Sequence, residues 1–282
     1  MSFRLELPPT LANRLASRGE DRPLIGLWAC AGSPITAEIV ASSGCDWVLL
    51  DAEHSPNTLD SVLAQLYAMS AYPATPVVRP PYGDTVLIKQ YLDVGVQNLL
   101  IPMVDSAEQA AEIVRAVRYP DGAGGGVRGV GSSLARSARW NRIDGYLGRA
   151  SDTISLTVQI ESATAVENVD AIAAVDGVDA LFVGPADLAA SMGHLGQQSH
   201  PEVVAGVLRA IEAGKAAGKP VGVNAFVAAD AERYIEAGAA FVAVGADVAI
   251  LARQTEALVE HFAAVAGASP GDAAQAAPRS SY

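Results

Sequence analysis

Two short apolar runs in this chain end in acids: Val158-Gln159-Ile160-Glu161 and Phe182-Val183-Gly184-Pro185-Ala186-Asp187. A buried carboxylate without a partner is costly, so packing alone explains these endings poorly. Carboxylates are hard oxygen donors. Two of them at adjacent strand tips suit Mg²⁺ or Mn²⁺, which take one or two protein carboxylates and leave positions for water and substrate. The competing reading is that each acid starts a helix, where negative charge is favoured. Two acids on adjacent strands, beside Gln159 and Gly184-Pro185, favour the metal. No His/Cys constellation suggests structural zinc.

The turn Asp51-Ala52-Glu53-His54 offers a general base, because a neutral imidazole titrates near working pH. A lone loop histidine would simply face water; one in an Asp-x-Glu-His turn invites chemistry, with Asp51 and Glu53 as nearby acids. Arg79, before Pro80-Pro81, is placed to stabilise an oxyanion or enolate, although a surface ion pair would need the same residue. Asp93 lies in a helical stretch and would act by orienting a histidine. The stretch from Gly124 to Trp140, with Arg128, has neither the G-x-G-x-x-G nor the P-loop pattern. Its composition predicts a mobile active-site loop that covers substrate. Cys30 and Cys45 read as small buried residues, and His194, His200 and His261 as surface or packing residues.

The elements that must carry these groups follow a rhythm. Apolar strands are expected over 24–29, 46–51, 76–79, 97–101, 154–160, 178–183, 220–223 and 241–244. Helices are expected over 34–43, 59–69, 85–94, 106–117, 164–174, 201–217, 228–237 and 247–265, with a polar lead-in over 1–22 and a loop over 188–200. Eight short apolar strands alternating with helices suit a parallel sheet covered on both faces. The count, the length and the clustering of polar residues after strands predict an α/β fold of the (β/α)8 TIM barrel type. Residues 1–266 form a single barrel domain in this reading, and 267–282, rich in Ala, Gly, Pro and Ser, a disordered tail.

The net charge of −12 argues against nucleic acid or an anionic membrane as partner. Two cysteines argue against a disulfide framework and fit a reducing compartment. The start of the chain lacks the pattern of a secretory signal, and no segment has the roughly 18 apolar residues of a membrane span. A soluble cytoplasmic protein is expected.

Taken together, Asp51-Ala-Glu-His54-Ser-Pro-Asn57, Val78-Arg79-Pro80, Leu92-Asp93-Val-Gly95, Leu100-Ile-Pro-Met-Val104, Val127-Arg-Gly-Val-Gly131, Gln159-Ile-Glu161 and Gly184-Pro-Ala-Asp187-Leu resemble the class II, metal-dependent pyruvate aldolases of the HpcH/HpaI type. The resemblance runs from about residue 22 to 266. It implies a barrel of the phosphoenolpyruvate/pyruvate superfamily, with the last helix exchanged between subunits and a homohexamer built as a trimer of dimers. It also implies that Glu161 and Asp187 hold a divalent ion (Mg²⁺, Mn²⁺ or Co²⁺), with no organic cofactor. His54 matches the catalytic base, and Arg79 the residue that stabilises the enolate and transition state. Asp93 matches an acid that raises the basicity of the active-site histidine, and Asp51 is counted with the catalytic set. Gln159 and the backbone at Ala186 match substrate contacts, with Trp28, Arg79, Gly184 and Asp187 placed beside them. The implied reaction is retro-aldol cleavage of a 4-hydroxy-2-oxo acid, such as 4-hydroxy-2-oxoheptanedioate, to pyruvate and an aldehyde such as succinic semialdehyde. A 2-dehydro-3-deoxyglucarate substrate, an acyl-CoA lyase and a non-catalytic small-acid sensor are the rivals. The chain departs from the pattern in a longer N-terminus, the glycine stretch at 122–126 and the tail.

Overall fold

Runs of Val, Leu and Ile make strands because branched side chains pack well on a pleated surface buried on both faces. In this chain they become β1 (Leu24–Ala29), β2 (Trp47–Asp51), β3 (Thr75–Arg79), β4 (Asn98–Ile101), β5 (Ser155–Ile160), β6 (Ala180–Val183), β7 (Val221–Asn224) and β8 (Phe241–Ala246). All are parallel, each pairs with the next, and β8 closes on β1. The result is the expected (β/α)8 barrel. The computed structural model describes residues 5–19, 22–122 and 125–266, so the tail 267–282 lies outside the described residues.

The helices are α1 (Leu11–Ser17), α2 (Pro34–Ala41), α3 (Leu59–Met69), α4 (Thr85–Asp93), α5 (Ala107–Val117), α6 (Tyr146–Arg149), α7 (Ala163–Glu167), α8 (Val169–Ala173), α9 (Pro185–Ser191), α10 (Pro201–Ala216), α11 (Ala228–Glu236) and α12 (Asp247–Val265). Two expectations change. The single helix over 164–174 is broken at Asn168, whose side chain donates to the Asp105 carbonyl. The stretch after β6 is not loop throughout: Pro185 at the first helical position starts α9, with Asp187 in its first turn.

Two apolar layers result. One lies between the strands and the outer helices. The other fills the barrel, where Trp47, Phe182 and Phe241 meet with ring centroids 5.6–6.0 Å apart. Gly26 makes this possible, because a Cβ there would come within 2.1 Å of the Trp47 ring. At the base, α1 is a stopper. Leu11 and Leu15 join the interior core, while the Leu11 and Ala12 amides donate to Asn98 Oδ1 (2.7 Å) and Ser155 Oγ (3.2 Å). α12 behaves differently. Of its 19 residues only Asp247 is buried, and Leu251, Leu258, Val259, Phe262 and Val265 are exposed. Among the described residues no helix is long and apolar enough to cross a membrane.

The segment expected to cover the active site lies elsewhere. It joins the C-terminal end of α5 to the start of β5, so the connectivity puts it at the base of the barrel, opposite the strand tips. There Arg128 donates to Asp93 at the end of α4 (3.2 Å), and Arg136 donates to the Val94 carbonyl. Glycine content suggests a lid, but Arg128 and Arg136 tie this connection to the C-terminal end of α4 instead.

Candidate active site

The barrel delivers β2 and β3 in a register that pairs Asp51 with Arg79. Arg79 Nε donates to Asp51 Oδ1 at 2.8 Å, with both side chains almost fully buried. Arg79 Nη1 lies 2.9 Å from Glu53 Oε2, and the guanidinium sits 4.5 Å from the centre of the Trp28 ring. Burial works against the charge on Arg79, but the Asp51 hydrogen bond and the charges of Asp51, Glu53 and Glu161 raise its pKa above the ordinary value. This is a cation clamped in place, not the surface ion pair of the alternative reading.

Asp51 does a second job. Its carboxylate accepts the backbone N–H groups of Glu53 (3.1 Å) and His54 (3.2 Å), which folds the turn after β2. Asn57 holds the same turn by donating to the Asp51 carbonyl at 2.6 Å. The His54 ring is left exposed, with Nε2 3.7 Å from Glu53 Oε2. Glu53 is more than a nearby acid. It is Arg79's second partner, and burial raises its pKa, with Arg79 and His54 opposing and Asp51 and Asp187 adding to the rise.

Glu161 follows β5 and is 2% exposed. Its Oε1 accepts the Met103 N–H at 2.7 Å and its Oε2 accepts Gln159 Nε2 at 2.5 Å. The helix-start reading fails here, because Ser162 rather than Glu161 caps α7. Met103 adopts φ 53°, an uncommon left-handed conformation for a residue with a side chain, and this turns its amide toward the acid. A backbone donor of this kind leaves no trace in residue type. Burial pushes the Glu161 carboxyl up to about 7; the Met103 amide opposes this, Asp187 and Glu53 add to it, and Arg79 offsets part of it. Gly184 supplies the space. A Cβ there would lie 2.6 Å from Glu161 Oε2 and 2.7 Å from Gln159 Nε2.

These groups open on one cavity of about 400 Å³. Trp28, Asp51, His54, Arg79, Gln159, Gly184, Ala186 and Asp187 line it, so residues singled out from five separate stretches of sequence converge. Glu161 stands behind this wall. Gln159 Oε1 is buried without a partner, which leaves an acceptor for a ligand. Asp93 does not join them: it ends α4 at the base and pairs with Arg128. Cys30 is half-buried, packs against the interior core and also lines the cavity, and burial together with Asp51 and Asp247 pushes its thiol up to about 12. It is therefore no nucleophile at neutral pH.

The residues present fit a hard divalent cation. Glu161 and Asp187 are oxygen donors near enough for the Asp187 charge to raise the Glu161 pKa. Arg79, the cation among them, is already engaged by Asp51 and Glu53. A second cation between Glu161 and Asp187 would reverse the repulsion.

The family profile described as HpcH/HpaI aldolase/citrate lyase matches residues 24–253. A hydroxypyruvate/pyruvate aldolase from Pseudomonas aeruginosa is 50% identical, over 92% of this chain and 94% of its own length. A 4-hydroxy-2-oxo-heptane-1,7-dioate aldolase from Escherichia coli is 51% identical, over 89% of this chain and 95% of its own. The crystal structure of an HpcH/HpaI aldolase/citrate lyase family protein from Burkholderia cenocepacia superposes with a TM-score of 0.84, at 42% identity, covering 89% of this chain and 98% of that one.

Proposed function

This chain belongs to the HpcH/HpaI aldolase/citrate lyase family, and on that premise we propose that it is a metal-dependent aldehyde-lyase. It cleaves a 4-hydroxy-2-oxo acid, such as 4-hydroxy-2-oxoheptanedioate, to pyruvate and an aldehyde such as succinic semialdehyde. The observation that carries this reading is the convergence of a clamped arginine, an exposed histidine and Asp187 on one cavity, with Glu161 behind its wall and close enough to feel the Asp187 charge. The relatives near half identity favour it over the 2-dehydro-3-deoxyglucarate and acyl-CoA alternatives.

In this reading Glu161 and Asp187 hold the divalent ion (Mg²⁺, Mn²⁺ or Co²⁺). When bound, it supplies Lewis-acid polarisation of the substrate's keto group. Gln159, with the backbone of Ala186 and the space left by Gly184, orients the 2-oxo acid against the acids. His54, or a base linked to it, takes the C4 hydroxyl proton. The C3–C4 bond breaks, its electron pair passes into the pyruvate enolate and the aldehyde leaves. Arg79 stabilises the charge that develops on the enolate oxygen, and its clamp by Asp51 and Glu53 means no reorientation is needed. Asp51 acts as a positioning residue, through Arg79 and the backbone of His54. Trp28 fixes the guanidinium from its face. Reprotonation at C3 gives pyruvate.

Two further parts of the reading need a second copy. The uncovered apolar side of α12 suits burial against another subunit, and we assign a homohexamer, a trimer of dimers with α12 exchanged, as its partner state. Asp93 is far from His54 of its own chain, so its proposed effect on a histidine's basicity runs between subunits. A cytoplasmic, reducing setting suits the two free cysteines.

The test is pyruvate release, coupled to lactate dehydrogenase, across a panel of 4-hydroxy-2-oxo acids with and without EDTA. Metal-dependent release is expected. No release from any substrate, or irreversible inactivation by borohydride in the presence of pyruvate, would overturn the reading. The Pseudomonas aeruginosa relative's name supports a second donor, hydroxypyruvate in place of pyruvate, and aldol addition run with each donor separates the two.

A further inference from the structure

Three arginines reach one cavity of about 620 Å³ at the base of the barrel, opposite the acids of the mouth. Arg14 comes from α1. Arg136 and Arg139 come from the connection between α5 and β5. Each spends an N–H on a backbone carbonyl: Arg14 on Pro73, Arg136 on Val94 (3.2 Å) and Arg139 on Arg136 (2.8 Å). The Arg136 guanidinium also lies 4.8 Å from the centre of the Tyr67 ring. Each guanidinium has five N–H groups in all, so most of their donors stay available.

Among the described residues, none of the three has a carboxylate within ion-pair distance. Burial lowers the Arg136 pKa and the charge of Arg139 lowers it further; burial lowers Arg139 as well. Only tyrosines, Tyr67 for both and Tyr146 for Arg139, act in the opposite sense. Glu6, the one described acid along the walls, is exposed. A half-buried pair of like charges with no counter-charge is unfavourable until an anion sits beside it. An independent feature points the same way. Thr75, at the start of β3, forms part of the same wall and is 4% exposed, and its hydroxyl has no hydrogen-bond partner. A buried hydroxyl is seldom left without one.

We propose that this basal cavity binds a small multivalent oxyanion, of the kind presented by phosphate and pyrophosphate groups, through Arg14, Arg136, Arg139 and the Thr75 hydroxyl. The guanidinium fork matches paired anionic oxygens, and three such forks from two elements line this cavity. The site shares no lining residue with the catalytic cavity, so it stands or falls independently of the aldolase reading.

The probe is sodium pyrophosphate, titrated calorimetrically into the full-length, EDTA-treated protein at low ionic strength. Saturable binding is expected, tighter than for sulfate and not displaced by pyruvate. Arg139→Gln is expected to weaken it at least about tenfold, since it removes a charge-assisted contact whose one described bond is to a carbonyl. Arg14→Gln, on a different element, guards against local misfolding and is expected to weaken it comparably. Thr75→Val, which keeps the side-chain shape, is expected to weaken it about threefold. No binding by the wild type up to about 10 mM, displacement by pyruvate, or unchanged affinity in both arginine variants overturns the proposal.

Discussion

At the mouth of the barrel the Arg79 guanidinium lies among Asp51, Glu53 and Glu161, and Asp187 lines the same cavity. At the base, Arg14, Arg136 and Arg139 share a cavity whose one described acid, Glu6, is exposed. Two cavities of one acidic chain thus carry opposite signs of charge. The two ends differ in how firmly the groups are held. At the mouth, strand register sets Asp51 against Arg79, and both are nearly sealed from water. At the base, a short helix and a loop supply half-buried arginines tethered to carbonyls. Rigid placement suits bond-breaking, which tolerates little misalignment. Looser placement suits recognition of a charge.

Arg79→Ala tests the mouth most severely. It strands Asp51 and Glu53, so a loss of about 3–5 kcal/mol in unfolding free energy is expected in denaturant titration. A drop of about 10²–10³-fold in kcat is expected with it. Proton exchange on pyruvate should be lost too; exchange at the full rate would mean that Arg79 does not stabilise the enolate.

Metal removal comes next. EDTA is expected to abolish cleavage, and Mg²⁺, Mn²⁺ or Co²⁺ to restore it. Glu161→Gln is expected to weaken metal binding by at least about 10–100-fold. Glu161 must lose a proton to act as a ligand, and without metal its carboxyl sits at about 7. Metal affinity should therefore fall about tenfold for each pH unit below 7 and level off above it. The same shift carries a sign for the metal-free fold. The folded state keeps a proton that the unfolded chain has released, so stability is lost as pH rises from 4.5 toward about 7. A flat profile for metal affinity would separate Glu161 from the metal.

Gly184→Ala introduces a methyl where Glu161 and Gln159 meet. A cost of about 1–3 kcal/mol and a clear loss of kcat are expected, and unchanged kinetics would show that this packing has no part in the chemistry. The smallest effect belongs to the base. Thr75→Val removes a buried hydroxyl that has no partner. Without an anion it is expected to be neutral or to stabilise by up to about 1 kcal/mol. Destabilisation would mean that the hydroxyl is already engaged.

The strands were legible because their apolar runs are short and bounded by turn residues, and the acids at their tips stood out against that pattern. Connectivity carried more than composition did. Glycines and arginines over 124–140 looked like a lid, yet a segment between a helix and the next strand belongs at the base. Glu53 was hidden by its neighbours, since residue type alone did not say that it, as well as Asp51, would face Arg79. Met103 was hidden because its contribution is an amide. Asp93 shows a different gap: the sequence motif sets it beside a histidine, whereas in the fold it ends α4 and pairs with Arg128, away from the cavity that His54 lines.

The stopper at the base has a consequence for the order of assembly. α1 precedes in the chain every element that makes its seat. Its amides dock on Asn98 and Ser155, 87 and 143 residues further along the chain. Until β4 and β5 have formed, Leu11 and Leu15 have nowhere to go, and a loop of that length must be closed to deliver them. Chain order and docking order run opposite here, so α1 is expected to lock after the strands that seat it, and pulse-labelled hydrogen exchange should find its amides protected after those of β4 and β5.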